Sequence, residues 1–327
     1  MSLIVPILLF LLGFVLLILG GDWFVDGAVA IAKKWHIPDL LIGATVVSIG
    51  TTLPEVMVSA GAAVAGHSEI AYGNALGSII CNTALISAIT ITFAPGLTDK
   101  KSLRVPAAFF FVALAVYAGV SYFTGFFSRP VGIALLAIFA VYIGLQVKSA
   151  LGGSSSPLEV EESESSSSAE MPLWRAIVSL IVGAAAIAVG ADLLVDNGTI
   201  IAQALGVPES VIALTFVALG TSLPELITAI TSLRKGHGAL SLGNVVGANL
   251  FNLVLVSGLS MTLRPFAIPA SKLVAGLNAS LVVDIPVVLG VMLLMTVPAL
   301  VKGKLYRWQG ILLLLIYASY CVFQFAF

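Results

Sequence analysis

Two stretches of this sequence combine carboxylates, hydroxyls and helix-loosening residues in a pattern suited to holding a bare cation. The first reads Gly50-Thr51-Thr52-Leu53-Pro54-Glu55 and the second Gly220-Thr221-Ser222-Leu223-Pro224-Glu225. Each lies deep inside a long apolar run, where an ionisable side chain costs about 2.5–3.5 kcal/mol on insertion scales. Proline lacks an N–H and its ring displaces the carbonyl four residues earlier, here Gly50 for Pro54 and Gly220 for Pro224. Freed carbonyls, the hydroxyls of Thr51 and Thr52 and the Glu55 carboxylate then gather, with Thr51 and Glu55 one helical turn apart. Every ligand offered is oxygen, the set that hard cations take. No His or Cys stands close enough in sequence for a transition-metal site. The competing structural reading is a buried, protonated or hydrogen-bonded glutamate at each place. Intact duplication of the whole motif argues against it.

A second pair of segments follows: Gly73-Asn74-Ala75-Leu76-Gly77-Ser78-Ile79-Ile80-Cys81-Asn82 and Gly243-Asn244-Val245-Val246-Gly247-Ala248-Asn249-Leu250-Phe251-Asn252. Gly73 and Gly77 form a small-residue ridge that permits close helix approach. Ser78 and Asn82 stand one turn apart and add neutral oxygens, as Asn252 can in the second copy. The alternative for Asn82 and Asn252 is interhelical hydrogen bonding, and for Asn74 and Asn244 packing is the preferred reading.

These pairs belong to a larger repeat. At an offset of 170 residues, 20–82 aligns with 190–252 without a gap, with 21 identities in 63 positions. Shared apolar composition would match Leu to Leu by chance, but it would not match Asp, Pro, Glu and Asn in register.

The elements that must position these residues are membrane helices. The chain has 327 residues, 59% hydrophobic and only 9% charged, with a mean hydropathy of +1.12. Soluble domains carry about 25% charged residues, so a soluble enzyme or a nucleic-acid binder is excluded. Apolar runs near 3–26, 37–65, 70–94, 105–123, 130–147, 173–196, 208–232, 239–263, 273–298 and 308–325 predict ten spans, each about the 20 residues a bilayer requires. No period-2 pattern suggests a barrel. The first run lacks the basic start of a signal peptide and is expected to be retained as a helix. Cys81 and Cys321 sit in apolar runs and suggest neither a disulfide nor a metal-thiolate site.

The repeat offset covers five spans, an odd number, so the second copy enters the membrane from the opposite face. The expected fold is therefore an all-α membrane protein of ten transmembrane helices in two inverted five-helix repeats, a common plan among secondary transporters. Residues 1–148 form the first repeat (motif region 43–82), 149–172 a Ser/Glu-rich linker and 173–327 the second repeat (motif region 213–252). Of the fifteen basic residues, twelve fall on one side and only Arg129, Arg264 and Lys272 on the other. The basic side is expected to be cytoplasmic, with the linker there and both termini outside. Asp22, Asp26, Asp192 and Asp196 lie near the ends of the first and sixth spans and are read as anchors or gate contacts. Asp284 has no matching acid and is read as structural. His67 and His237 occupy loops on opposite faces.

At the motif residues the sequence resembles the cation/calcium exchanger superfamily, whose two repeats carry G-T-S-L-P-E and G-N-x-x-G-S-N-type motifs. It is most similar to the prokaryotic sodium/calcium exchangers. The resemblance implies antiport of Ca2+ for Na+ by alternating access, with no enzymatic activity and no cofactor. It also implies a multi-pass protein of the plasma membrane that works as a monomer. Proton/calcium or potassium-dependent sodium/calcium antiport is the alternative within the superfamily, and an intramembrane enzyme or a channel the alternative outside it. Carried over by motif, the metal site comprises Ser48 (carbonyl), Thr51, Thr52, Glu55, Ser78 and Asn82. In the second repeat it comprises Ala218 (carbonyl), Thr221, Ser222, Glu225, Ala248 and Asn252. Asn252 and Ala248 depart from relatives that bear Asp and Ser there, so the pocket holds two carboxylates rather than three.

Overall fold

The computed structural model describes residues 3–151, 171–205, 220–270 and 272–326. The helices are α1 (Ile4–Lys34), α2 (Asp39–Ala65), α3 (Ser68–Phe93), α4 (Lys100–Phe123), α5 (Arg129–Leu151) and α6 (Leu173–Ala204). The second repeat continues with α7 (Leu223–Arg234), α8 (Gly238–Leu263), α9 (Ser280–Lys302) and α10 (Arg307–Ala326). Eight of these are long and apolar enough to cross a membrane by themselves. The two others, α7 and α10, fall where the seventh and tenth spans were expected. Most of the linker, the opening of the seventh span and Ala218 lie outside the described residues.

Inversion of the repeats is visible in one seam. Glycines recur every seventh residue on α1 (Gly13, Gly20, Gly27) and on α6 (Gly183, Gly190), which keeps them on one face of each helix. A Cβ on Gly13 would stand 2.8 Å from the Gly190 carbonyl oxygen, one on Gly20 3.0 Å from that of Gly183, and one on Gly27 2.6 Å from that of Ala176. The numbers rise on one helix as they fall on the other, so α1 and α6 run antiparallel. These two helices are repeat mates, related by the offset of 170. Exchanging the halves carries the Gly13–Gly190 contact onto Gly183–Gly20, the same seam. A two-fold axis in the membrane plane produces this self-consistency; a parallel duplication does not.

The centre is built from α3 and α8, whose most apolar windows are 72% and 89% buried, against 22% for both α1 and α6. The outer helices present large apolar side chains outward, among them Ile4, Leu8, Ile133, Ile181 and Leu315. That surface suits hydrocarbon, not water.

Three details differ from expectation. Helix α1 runs past residue 26 to Lys34, because charge marks where lipid ends while backbone hydrogen bonding continues. The start of the ninth span is not helical: β3 (Leu273–Val274) and β4 (Leu277–Asn278) form a hairpin around Ala275 and Gly276, both at positive φ. A second short pair joins the repeats, β1 (Phe126–Phe127) to β2 (Phe266–Ala267). Finally, Pro54 does not break α2, which stays helical from Ser48 to Ala65. Its missing N–H releases the Gly50 carbonyl without ending the helix. In the second repeat the chain turns at Thr221 and Ser222 and the helix resumes at Leu223.

Candidate cation site

On α2, Ser48, Thr51, Thr52, Glu55 and Ser59 recur at helical spacing and are all buried. This is the reverse of a soluble amphipathic helix, since the polar stripe faces inward. On α7 the buried stripe is Ser222, Glu225, Thr228 and Ser232. Thr221 is half-buried. Helices α3 and α8 contribute Ser78 and Asn82, and Ala248 and Asn252, again all buried.

Asn82 and Asn252 each open a π-helical turn, Asn82–Ser87 and Asn252–Val256. A third π turn, Gly43–Val47, immediately precedes Ser48. Such turns insert a residue and re-aim the side chains around them, and they concentrate at functional sites. Here they stand beside the candidate ligands in both repeats.

Close helix approach brings the repeats together. The Leu40 carbonyl oxygen leaves no room for a Cβ on Gly243, and Ser48 Oγ and Ala44 leave none on Gly247. The single Ser48 hydroxyl hydrogen is shared between two acceptors, the Gly43 carbonyl at 2.7 Å and that of Asn244 at 3.0 Å. Its hydroxyl is thus engaged with backbone, consistent with a carbonyl rather than a hydroxyl role. At the repeat mates Gly73 and Gly77 a Cβ would meet nothing within 4 Å among the described residues, and Gly73 is exposed. The close approach expected of the small-residue ridge is seen on α8; for α3 the mates of its contacts Leu40, Ala44 and Ser48 fall at positions 210, 214 and 218, outside the described residues.

The polar atoms left over mark out a candidate site. Fourteen buried side-chain nitrogen and oxygen atoms among the described residues lack a hydrogen-bond partner, and ten of them belong to Thr52, Glu55, Asn82, Ser222, Glu225 and Asn252. All six are residues singled out by the motifs. Both oxygens of both carboxylates are included. A buried carboxylate without a counter-charge is strongly unfavourable, whereas a dehydrated cation would satisfy all these oxygens together. Glu55 and Glu225 lie close enough for their charges to interact, and Thr51 of the first repeat stands beside the Glu225 carboxylate of the second. The arrangement spans both repeats.

Sequence reasoning underrated four neighbours. Asn244 and Asn74 hydrogen-bond across the repeats to Thr51 and Thr221, and Thr228 and Ser59 hold those asparagines. Ser59 and Thr228 continue the polar stripes four and three residues beyond the glutamates, a signal that was present in the sequence. Asp284 accepts from Tyr320 at 3.1 Å and Gln324 at 3.3 Å, remote from the motif glutamates in sequence and in keeping with a structural role. A cavity of about 400 Å³ opens elsewhere, between Thr90–Asp99, Gly236–Leu242 and Leu305, and none of the motif ligands lines it.

The comparisons with known proteins agree with this picture. The family model described as sodium/calcium exchanger protein matches residues 5–148 and 175–326. An uncharacterized membrane protein of Methanocaldococcus jannaschii is 36% identical over 314 residues, covering 94% of each chain. The sodium/calcium exchanger MaX1 of Methanosarcina acetivorans is 29% identical over 360 residues, covering 98% of this chain and 99% of its own. Among solved structures, the sodium–calcium exchanger NCX_Mj soaked with Na+ and Sr2+ superposes with a TM-score of 0.80 at 32% identity, covering 97% of this chain and 98% of that one. With a family model spanning nearly its whole length and the inverted repeats, the chain belongs to the sodium/calcium exchanger protein family.

Proposed function

We propose that this protein is a secondary-active antiporter that exchanges Ca2+ for Na+ across the membrane. The observation that carries the reading is the set of buried, unpartnered oxygens on Glu55 and Glu225, together with the buried, unpartnered hydroxyl and amide atoms of Thr52, Asn82, Ser222 and Asn252. Glu55, Glu225, Thr51, Thr52, Thr221, Ser222, Ser78, Asn82 and Asn252 supply side-chain oxygens in this reading, and Ser48 and Ala218 supply carbonyls. Two carboxylates neutralise one Ca2+. Sodium ions would occupy the same oxygens in turn, so the two cargoes compete for one site and are exchanged rather than co-transported.

Alternating access follows from the inverted relation of the two repeats. The α8 glycines are pressed against α2 in this conformer. Exchanging the conformations of the two repeats would expose the same glutamates to the other side, as the inverted repeat permits. The 12:3 division of basic residues supports a cytoplasmic linker and outward termini in the plasma membrane. Because one chain contains both halves of the pseudo-symmetric pair, it works as a monomer.

The test is Ca2+ uptake into proteoliposomes driven by an outward Na+ gradient, with matched H+ and K+ gradients alongside. Uptake should follow Na+, and Glu55→Gln or Glu225→Gln should abolish it in a folded protein. Wild-type flux in either single variant would remove the glutamates from the site. Uptake driven by H+ alone, or only in the presence of K+, would reassign the coupling ion.

A further inference from the structure

The hydroxyl of a threonine can serve a cation only through its lone pairs, so its proton must be parked elsewhere. The structure provides a parking place for Thr51 and for Thr221, and in both cases it lies in the other repeat.

Thr228 donates to the Glu225 carbonyl at 3.0 Å, which uses its one hydroxyl hydrogen. Its oxygen can then only accept from Asn244 Nδ2 at 2.9 Å. That contact orients the amide, leaving Asn244 Oδ1 to accept from Thr51 Oγ1 at 3.2 Å. Thr51 has two other acceptors nearby, the Ser48 carbonyl at a marginal 3.5 Å and the Glu225 carboxylate beside it. The second chain runs the other way. Asn74 Nδ2 donates to the Glu55 carbonyl at 3.3 Å and to Ser59 Oγ at 2.8 Å. A carbonyl cannot donate, so this amide is also fixed in orientation. Asn74 Oδ1 is then left to accept from Thr221 Oγ1 at 3.3 Å.

Each chain starts at the backbone carbonyl of one motif glutamate, passes through an asparagine and ends on the threonine of the opposite repeat. We propose that Asn74 and Asn244 are positioning residues. Each holds the hydroxyl proton of the partner repeat's threonine, so that Thr51 and Thr221 offer only lone pairs to the cation. The rival acceptor is near: Thr51 stands beside the Glu225 carboxylate. Without Asn244 the Thr51 hydroxyl would turn its proton to Glu225, removing one neutral ligand and occupying a lone pair of a charged one. This inference rests on the cation-site reading above and adds the residues that set the polarity of that site.

The test is a double-mutant cycle on the full-length chain, reading half-saturating Ca2+ and maximal rate in proteoliposomes. Asn244→Leu should raise half-saturation about three- to tenfold, the range of one hydrogen bond's net worth, with maximal rate nearly unchanged. Thr51→Val should do the same. The double variant should be no worse than Thr51→Val alone, because the asparagine acts through the hydroxyl. Multiplying effects, or an unchanged half-saturation in Asn244→Leu, would overturn the proposal. Should Asn244→Leu fail to fold in its tight setting, Asn74→Leu with Thr221→Val asks the same question at a half-buried asparagine. Calorimetric Ca2+ titration of the purified protein reads the same cycle without transport. A chain that binds Ca2+ with this coupling but does not exchange it would refute the exchange reading and leave the positioning role standing.

Discussion

Lys235 Nζ lies 2.7 Å from Asp26 Oδ1 and 3.4 Å from Asp22 Oδ1, binding the end of α7 to α1. The same ammonium donates to the Asp22 carbonyl at 3.0 Å. Two residues later, His237 Nδ1 is 2.7 Å from Asp39 Oδ2 at the start of α2. The turn between them passes through Gly236 at φ +81°, a conformation that only glycine adopts freely. One three-residue turn therefore clasps two helices. Repeat symmetry would place the mate of Lys235 at position 65, which is Ala65. Asp192 and Asp196, the mates of Asp22 and Asp26, thus have no corresponding lysine. The clasp belongs to one face.

Lys235→Ala should consequently unbalance the two conformers more than it weakens the fold. The pair is partly exposed, with side chains 26–50% accessible, and such pairs contribute about 0.2–1 kcal/mol. That amounts to a change of up to about fivefold in conformer ratio, against the state described here. Ala44, fully buried under Gly247 in this conformer, reports it. A cysteine placed there should be alkylated faster in the Lys235→Ala background, and high salt should shrink the difference. Equal rates in both backgrounds would show that the clasp does not bias the transition.

The antiparallel glycine seam is the next point of sensitivity. A Cβ on Gly183 would stand 2.5 Å from the Phe24 nitrogen and 2.8 Å from the Gly20 carbonyl oxygen. These are backbone atoms on a neighbouring helix and cannot turn aside. Gly183→Val should destabilise by about 1–3 kcal/mol, the range for overpacking, and Gly13→Val should behave alike. Gly61→Val, where nothing lies within 4 Å, is the control and should leave the melting temperature unchanged. Equal melting temperatures for all three would contradict the seam.

Sidedness gives a third prediction. Single cysteines at Ser165 in the linker and at Ser2 should react with impermeant reagents from opposite faces of the membrane, the linker from the cytoplasm. Labelling of both from one face would contradict the odd number of spans between the repeats.

The sequence carried the repeat and the ligand types because both leave discrete marks: Asp, Pro, Glu and Asn matched at one offset. The glycine seam left a weaker mark, since glycines every seventh residue in an apolar helix pack equally well against a neighbour or lipid. The π turns at Asn82 and Asn252 left none, because an added backbone residue per turn does not alter composition. Pro54 loosens its helix without breaking it, for a physical reason. Losing one donor frees one carbonyl, but the flanking hydrogen bonds of a buried helix still hold its course. The cross-repeat Asn–Thr bonds required knowing which helices touch, and an offset alone does not supply that.

The charge count at Asn252 leads to the last prediction. Asn252 is fully buried and both its amide atoms lack partners, so a carboxylate of nearly the same shape would fit there. With Glu55 and Glu225 as the acids of the proposed site, that site with one Ca2+ is neutral, and with three Na+ it carries a net charge of +1. Under that stoichiometry the sodium-loaded step senses voltage and the calcium-loaded step does not. Asn252→Asp adds one negative charge and reverses the assignment: the sodium-loaded site becomes neutral and the calcium-loaded site negative. Net charge moved per cycle is unchanged, worth about 2.3 kcal/mol per 100 mV, yet its place in the cycle shifts. Calcium–calcium exchange, which uses only the calcium-loaded step, reads this directly. It should be insensitive to membrane potential in the wild type and sensitive in Asn252→Asp, which should also bind Ca2+ more tightly. Identical voltage dependence and Ca2+ affinity in the two proteins would place Asn252 outside the cage, as a packing residue between helices.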